Sequence, residues 1–379
     1  MRSMLGWLRL RERAMTRLLG RFVRAESPSF DKAAVDRFGR MVASEWNRRG
    51  ATVTQLRQRE RGDHVRAEWR PRGNRARAQI LVLGHLDTVY DAGTIERMPF
   101  RVSRGRAWGP GTFDMKGGLV IALYAVDALA AAGRLPEKRI VFLWTADEEI
   151  GSESSRGVIE REAKRSEAVL VLEPASGLDG RVKTGRKAVG EIELIVTGRA
   201  AHAGLNPEDG INAIEEIALQ IARISQWNQP QRGITVNAGV IEGGTRTNVI
   251  AERARALVDL RAAHAGDMRA LERKFRALRP FLTGAKLQVL GGFNRPPLER
   301  KMSAALYAKA RALANEMGVT LGETFVGGGS DGNFTAALGV PTLDGLGAVG
   351  EGAHSLRENI VVRALPERAA LVAGLLAAF

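Results

Sequence analysis

Residues 80–90 read ILVLGHLDTVY. Four apolar residues without polar alternation suit a strand covered on both faces of a sheet. The run ends at Gly84 and delivers His85, then Asp87 two places later. Residues i and i+2 of an extended chain point the same way, so imidazole and carboxylate leave the strand on one side. Two further runs share this form. IVFLW at 140–144 leads to Glu148 and Glu149, and AVLVL at 168–172 leads to Glu173. Helical spacing surrounds them. Val35, Phe38, Met41, Val42 and Trp46 mark a helix closed by Gly50, and GGLVIALYAVDALAAAG at 117–133 marks another. The alternation predicts an α/β fold: a mixed, mostly parallel sheet with helices on both faces. Such sheets bind ligands at the carboxyl ends of their strands, where each run places a titratable residue.

The texture changes near residue 189. EIELIVTGR (191–199) alternates, and a helical stretch follows at 211–227. Then come ITVNAGVIEG (234–243), ARALVDLRA (254–262), a helix through 267–279 and KLQVLGG (286–292). The order β-α-β-β-α-β is the split, ferredoxin-like pattern. The expected organisation is therefore an α/β domain in two parts, 1–188 and 297–379, interrupted by a ferredoxin-like α+β module at 189–296. Residues 1–22 are expected to be a basic N-terminal extension, with Met15 as an alternative start.

The bulk properties narrow the function. The 379 residues contain no cysteine, so disulfides and thiolate metal sites are excluded. Any metal must be held by His, Asp and Glu. The formal net charge of +15 invites a nucleic-acid reading, but 20 of the 57 Lys/Arg against 8 of the 42 Asp/Glu fall in residues 1–79. That is a basic coat at one end, without the aromatic-studded strand or finger spacing of a nucleic-acid module. No specific nucleic-acid partner is expected. No run of about 18 apolar residues is present, so no transmembrane segment is expected. Arg9, Arg11 and Arg13 interrupt the first apolar residues before a leader core forms. The expected setting is cytoplasmic.

Two more candidates sit in turns: Asp114 in WGPGTFDMKGG and His354 in GEGAHSLRENI. Taken singly, each candidate has a plain structural reading. A histidine at a strand end is commonly a satisfied surface group, a Glu pair after a strand is commonly solvated, and Asp114 can cap the helix after it. Their joint placement at strand ends and Gly-rich turns favours one or two divalent ions of zinc character.

GHLDTVYDAGT, RAWGPGTFDMKGG, DEEIGS, VLEP and GAHS, in this order and spacing, resemble the di-zinc exopeptidases and deacylases. That family includes glutamate carboxypeptidase, acetylornithine deacetylase and succinyl-diaminopimelate desuccinylase. The HxDTVY stretch looks closest to the glutamate carboxypeptidase branch. The resemblance runs from about residue 23 to the end and implies the zinc-exopeptidase fold, with the inserted module serving as dimerisation and lid domain.

The same resemblance implies roles. Asp114 would bridge two Zn2+ ions per subunit, with Co2+ or Mn2+ as alternatives. His85 and Glu173 would complete one site, Glu149 and His354 the other. Glu148 would be the general base for a hydroxide bridging the metals, and Asp87 would orient His85. A cis peptide is expected at Asp114–Met115. His202 in GRAAHAG would reach a partner subunit's site in a homodimer and stabilise the oxyanion. Asn248 and Arg261 would hold the substrate carboxylate, and Gly328 and Gly329 in FVGGGSDGNF (325–334) would form a Gly-rich wall. Arg181 and Arg295 are candidates for an acidic substrate side chain. The departures are GGGSDG in place of a GGGTDA-like form, and the Arg-rich N-terminus. The implied reaction cleaves the amide next to a C-terminal amino acid, glutamate favoured, on a small peptide. The alternative is an N-acyl-amino-acid deacylase or a dipeptidase with the same metal chemistry.

Overall fold

A computed structural model describes residues 1–70 and 78–379. The chain divides into two compact units. One comprises Met1–Gly185, Arg300–Phe325 and Ser330–Phe379; the other comprises Arg186–Glu299 and Val326–Gly329.

The first unit is built on a six-stranded sheet. Its strand order is Thr52–Leu56, His64–Trp69, Arg139–Thr145, Gln79–His85, Ser166–Val171, Thr342–Leu343. The last four strands run parallel. The first two join antiparallel at one edge. All seven residues of Gln79–His85 are buried. Ile80 and Val82 pack into the main core with helix Gly117–Ala131 and the C-terminal helix Ala364–Ala377. Leu81 and Leu83 pack on the other face with Ile159 and Phe334. Cover on both faces explains the unbroken apolar run and bears out the expected mixed, largely parallel α/β architecture.

Residues 2–9 and 12–24 differ from the expected basic extension. They form helices Arg2–Arg9 and Glu12–Arg24. Met4, Leu5, Leu8, Met15, Leu18, Leu19, Phe22 and Val23 all lie in the main core. Arg13, Arg17, Arg21 and Arg24 are exposed on the opposite side. The arginines thus decorate one face of an amphipathic helix whose other face is structural.

The second unit is an antiparallel sheet ordered Thr235–Gly243, Arg253–Ala262, Ala188–Thr197, Lys286–Arg295. Helices Ala213–Ser225 and Ala265–Arg276 supply Ile217, Ile224, Leu271 and Phe275 to its own core. The first is capped by Asn212, whose Oδ1 accepts from the Ile214 and Glu215 N–H groups. Element order follows the β-α-β-β-α-β pattern read from the sequence.

Candidate metal centre

Each candidate residue sits where regular structure ends. His85 is the last residue of the central strand Gln79–His85. Glu148 and Glu149 open a short 3-10 turn beyond strand Arg139–Thr145. Glu173 lies two residues beyond strand Ser166–Val171. Asp114 occupies the turn that leads into helix Gly117–Ala131, and the Asp114–Met115 peptide is cis. His354 sits in a turn with φ +61°. Gly84 permits close approach beneath the site: a Cβ there would fall 2.5 Å from the Met115 methyl.

These residues converge. His85 Nε2 lies 3.2 Å from Asp114 Oδ1 and 3.4 Å from Glu173 Oε1. His354 Nε2 lies 3.2 Å from Glu149 Oε2 and 3.5 Å from Asp114 Oδ2. The two oxygens of Asp114 therefore face two different imidazoles. Donor atoms of His85, Glu148 and Glu173 lie within 4.8 Å of one another, as do those of His85, Asp114 and Glu149.

The electrostatics favour positive charge at this point. Burial opposes a charged His85, but hydrogen bonds with Asp114, Asp87 and Glu173 outweigh it and hold the imidazole well above its usual pKa. Hydrogen bonds with Asp114 and Glu149 raise His354 to about 10. Burial pushes Glu149 up to about 7, helped by the Asp114 charge and opposed by His354. Asp114 stays well below the carboxylate range: burial works upward, and the two histidines overcome it. Glu149 Oε1 is buried and has no hydrogen-bond partner. Three carboxylates, one of them with an orphaned oxygen, and two imidazoles, without a thiol, suit hard-to-borderline divalent ions.

Asp87 differs in detail from the expectation. The His85 Nδ1 finds the Asp87 main-chain carbonyl at 2.9 Å, while the nearest carboxylate oxygen is 3.4 Å away. The carboxylate instead accepts from Ser29 Oγ at 2.8 Å and from the Glu148 and Glu149 N–H groups at 3.2 and 3.3 Å. It is wholly buried, and these donors compensate its lost hydration. Asp87 thus orients the Glu148–Glu149 turn as well as His85.

The family model for peptidase family M20/M25/M40 matches residues 81–378. The chain belongs to this family. It is 32% identical over 372 residues to carboxypeptidase G2 of Pseudomonas sp. (strain RS-16), covering 96% of this chain and 88% of that protein. It is 29% identical over 336 residues to succinyl-diaminopimelate desuccinylase of Dechloromonas aromatica, covering 80% and 84%. The crystal structure of aminopeptidase PepT from Bacillus cereus superposes with a TM-score of 0.79, 23% identity and coverage of 97% and 98%. M20 membership makes the chain a metal-dependent peptidase or related hydrolase. No helix among the described residues is long and apolar enough to cross a membrane.

The other sequence candidates lie elsewhere. Arg181 does not join the cluster: it pairs with Asp179 and packs over Gly322. The remaining six belong to the second unit. His202 is exposed, and its Nδ1 accepts from the Gly204 and Leu205 N–H groups, both at 3.1 Å. That fixes the tautomer with the proton on Nε2. Asn248 is exposed, and its carbonyl accepts from Ala203 N–H. Arg261 is held side-on by Asp259, through Nε at 2.9 Å and Nη2 at 2.7 Å. The carbonyls of Gly328 and Gly329 accept from Arg186 at 3.2 and 2.9 Å. Arg295 is nearly buried, its Cδ against Gly329.

Sequence reasoning missed four residues of the first unit, one of them Ser29, the donor to Asp87 described above. Glu358 and Tyr90 support the Asp114 turn, although both lie inside motifs quoted above. Burial pushes Glu358 up to about 7, whereas bonds from Tyr90, Asp114 and Phe113 favour its ionised form. Burial and the Glu358 charge raise the Tyr90 phenol far above its usual value, which keeps its proton available. The fourth is Lys116, a buried ammonium donating to the carbonyls of Phe22 at 3.1 Å and Ala25 at 2.8 Å. These lie at the C-terminal end of helix Glu12–Arg24, where a cation complements the helix dipole. Burial pulls Lys116 down to about 7.

Proposed function

We propose that the chain hydrolyses the amide bond next to a C-terminal amino acid, with glutamate favoured, using two divalent ions of zinc character. The observation that carries this reading is the position of Asp114, whose two oxygens face His85 and His354 separately. His85, Asp114 and Glu173 would hold one ion, and Asp114, Glu149 and His354 the other. Bound there, the ions polarise the substrate carbonyl and acidify water. Glu148 is the proton carrier: its main chain is fixed by Asp87, and its carboxylate takes a proton from water and returns it to the leaving amine. Glu149, clasped to His354, is not free for that task.

The first unit would carry catalysis, and the second dimerisation and closure. On the second unit, Asp259 takes the Nε/Nη2 edge of Arg261 and Nη1 donates to the Gly327 carbonyl at 3.5 Å; the remaining Nη1 and Nη2 hydrogens would meet a substrate carboxylate. His202, with its proton on Nε2, is suited to donate to a developing oxyanion. We assign this donation to the partner subunit of a homodimer. Strand Thr235–Gly243, at one edge of its sheet, exposes Val240 and Ile241, which supports an interface there. A cytoplasmic setting accords with the absence of cysteine.

The relation to carboxypeptidase G2 supports glutamate, and that to succinyl-diaminopimelate desuccinylase supports deacylation as the second reading. The test is a substrate panel of N-benzoyl-Glu, a Glu-ending dipeptide, N-acetylornithine and N-succinyl-diaminopimelate, with and without zinc. Metal-dependent glutamate release is expected, with kcat in Glu148→Gln lower by ~10²–10⁴-fold at unchanged metal content. Activity confined to acetyl or succinyl substrates would replace the first reading with the second.

A further inference from the structure

Glu358 is wholly buried and carries an unusual load of donors for one side chain. Its Oε1 accepts from the Phe113 N–H at 2.6 Å and the Asp114 N–H at 2.9 Å. Its Oε2 accepts from the Gly111 N–H at 3.2 Å and from the Tyr90 hydroxyl. The Tyr90 oxygen also lies 2.9 Å from the Ser355 carbonyl oxygen. Three loops meet at this point. Tyr90 follows His85 on the first, Gly111–Asp114 is the second, and Ser355–Glu358 follows His354 on the third. One carboxylate and one phenol thus bind together the loops that present both histidines and the aspartate between them.

We propose that Glu358 and Tyr90 form a clasp that sets the separation of the two metal positions. The clasp rests on the metal-centre reading above. Its logic is geometric. The ordinary way to orient a ligand is a hydrogen bond to that ligand's own side chain. Here the bonds go to the main chain of the Asp114 turn, so the clasp fixes where the carboxylate starts, while the histidines fix where it points. The Tyr90 hydroxyl donates to Glu358 and so ties the loop after His85 to the loop after His354. Glutamine at position 358 keeps the shape but offers one acceptor oxygen. Its NH2 group would face N–H and O–H donors, so at least one main-chain donor would lose its partner. Tyr90→Phe removes only the link between the loops.

Chelator competition measures zinc affinity in wild type, Glu358→Gln, Tyr90→Phe and Leu8→Ala, beside thermal melts of the metal-free proteins. Leu8 lies in the core and serves as a destabilised control. The expected result is zinc affinity weakened by about 10–100-fold in Glu358→Gln. Tyr90→Phe should shift in the same direction by less, and Leu8→Ala should bind zinc as wild type does while melting earlier. Wild-type affinity in both clasp variants overturns the clasp and leaves the metal centre standing. Equal weakening in Leu8→Ala overturns it too, because general destabilisation then accounts for the loss. A wild-type protein that takes up no zinc overturns the metal-centre reading and the clasp with it.

Discussion

Asp87 holds two parts of the candidate site at once. Its carbonyl takes the His85 ring proton, and its carboxylate takes the main-chain N–H groups of the Glu pair. Asp87→Asn would turn one acceptor oxygen into a donor facing other donors. The expected outcome is metal affinity weakened by ~10–100-fold, checked by chelator competition, with a smaller loss in Ser29→Ala, which removes a single donor. At this scale the sequence was informative wherever a residue acts through its side chain at the end of an apolar run. His85, Glu148, Glu149 and Glu173 were legible for that reason. Asp114 and His354 became legible through their Gly-rich surroundings and the order of motifs. Glu358 and Ser29 were not, because they act through main-chain or buried polar groups that no spacing rule displays.

Among the elements, the first two helices show how charge conceals structure. Arginines at 9, 11, 13, 17, 21 and 24 dominate the reading of this segment, yet Leu8 and Leu19 are fully buried. Leu8→Ala should cost ~2–5 kcal/mol, read as a lower Tm. Deleting residues 1–14 should cost more, because Met4 and Leu5 leave the core as well. The central strands were legible because an unbroken apolar run bounded by turns has few other uses. The antiparallel edge was less so: Thr52–Leu56 is largely exposed and carries little pattern. That edge also has an electrostatic signature. Burial disfavours a charged Glu68, but Arg66, Arg70 and Arg139 outweigh it and hold its pKa below the usual 4.5. The unfolded chain then binds that proton more readily than the folded one. The stabilisation is complete above the ordinary value and is lost as pH falls through the folded one. Thermal melts from neutral pH into acid should show Glu68→Gln with the flatter acid limb.

For the molecule as a whole, the metal centre is also a stability element. It brings together residues from strand ends and turns far apart in sequence, and repulsion among Asp114, Glu149 and Glu173 is relieved by cations. Stripping the metal with a chelator should lower Tm, and re-adding zinc should restore it. The stabilisation is ~4 kcal/mol for an ion present at a thousand times its Kd. The both-faces-covered sheet of the first unit and the β-α-β-β-α-β order of the second followed from periodicity, because both depend on repeated local choices. The packing of the N-terminal helices did not, since it depends on a partner more than 350 residues later in the chain.

That partner has a consequence for how the protein is made. Helix Arg2–Arg9 packs with Ala364–Ala377, Arg9 pairs with Glu367, and Met1 lies against Gly374. Helix Ala364–Ala377 follows helix Arg2–Arg9 off the ribosome by tens of seconds at ordinary elongation rates. During that interval Met4, Leu5 and Leu8 lack the cover that the later helix gives them in the folded chain. The arginines that flank them then act as a solubilising escort for a helix still waiting for its partner.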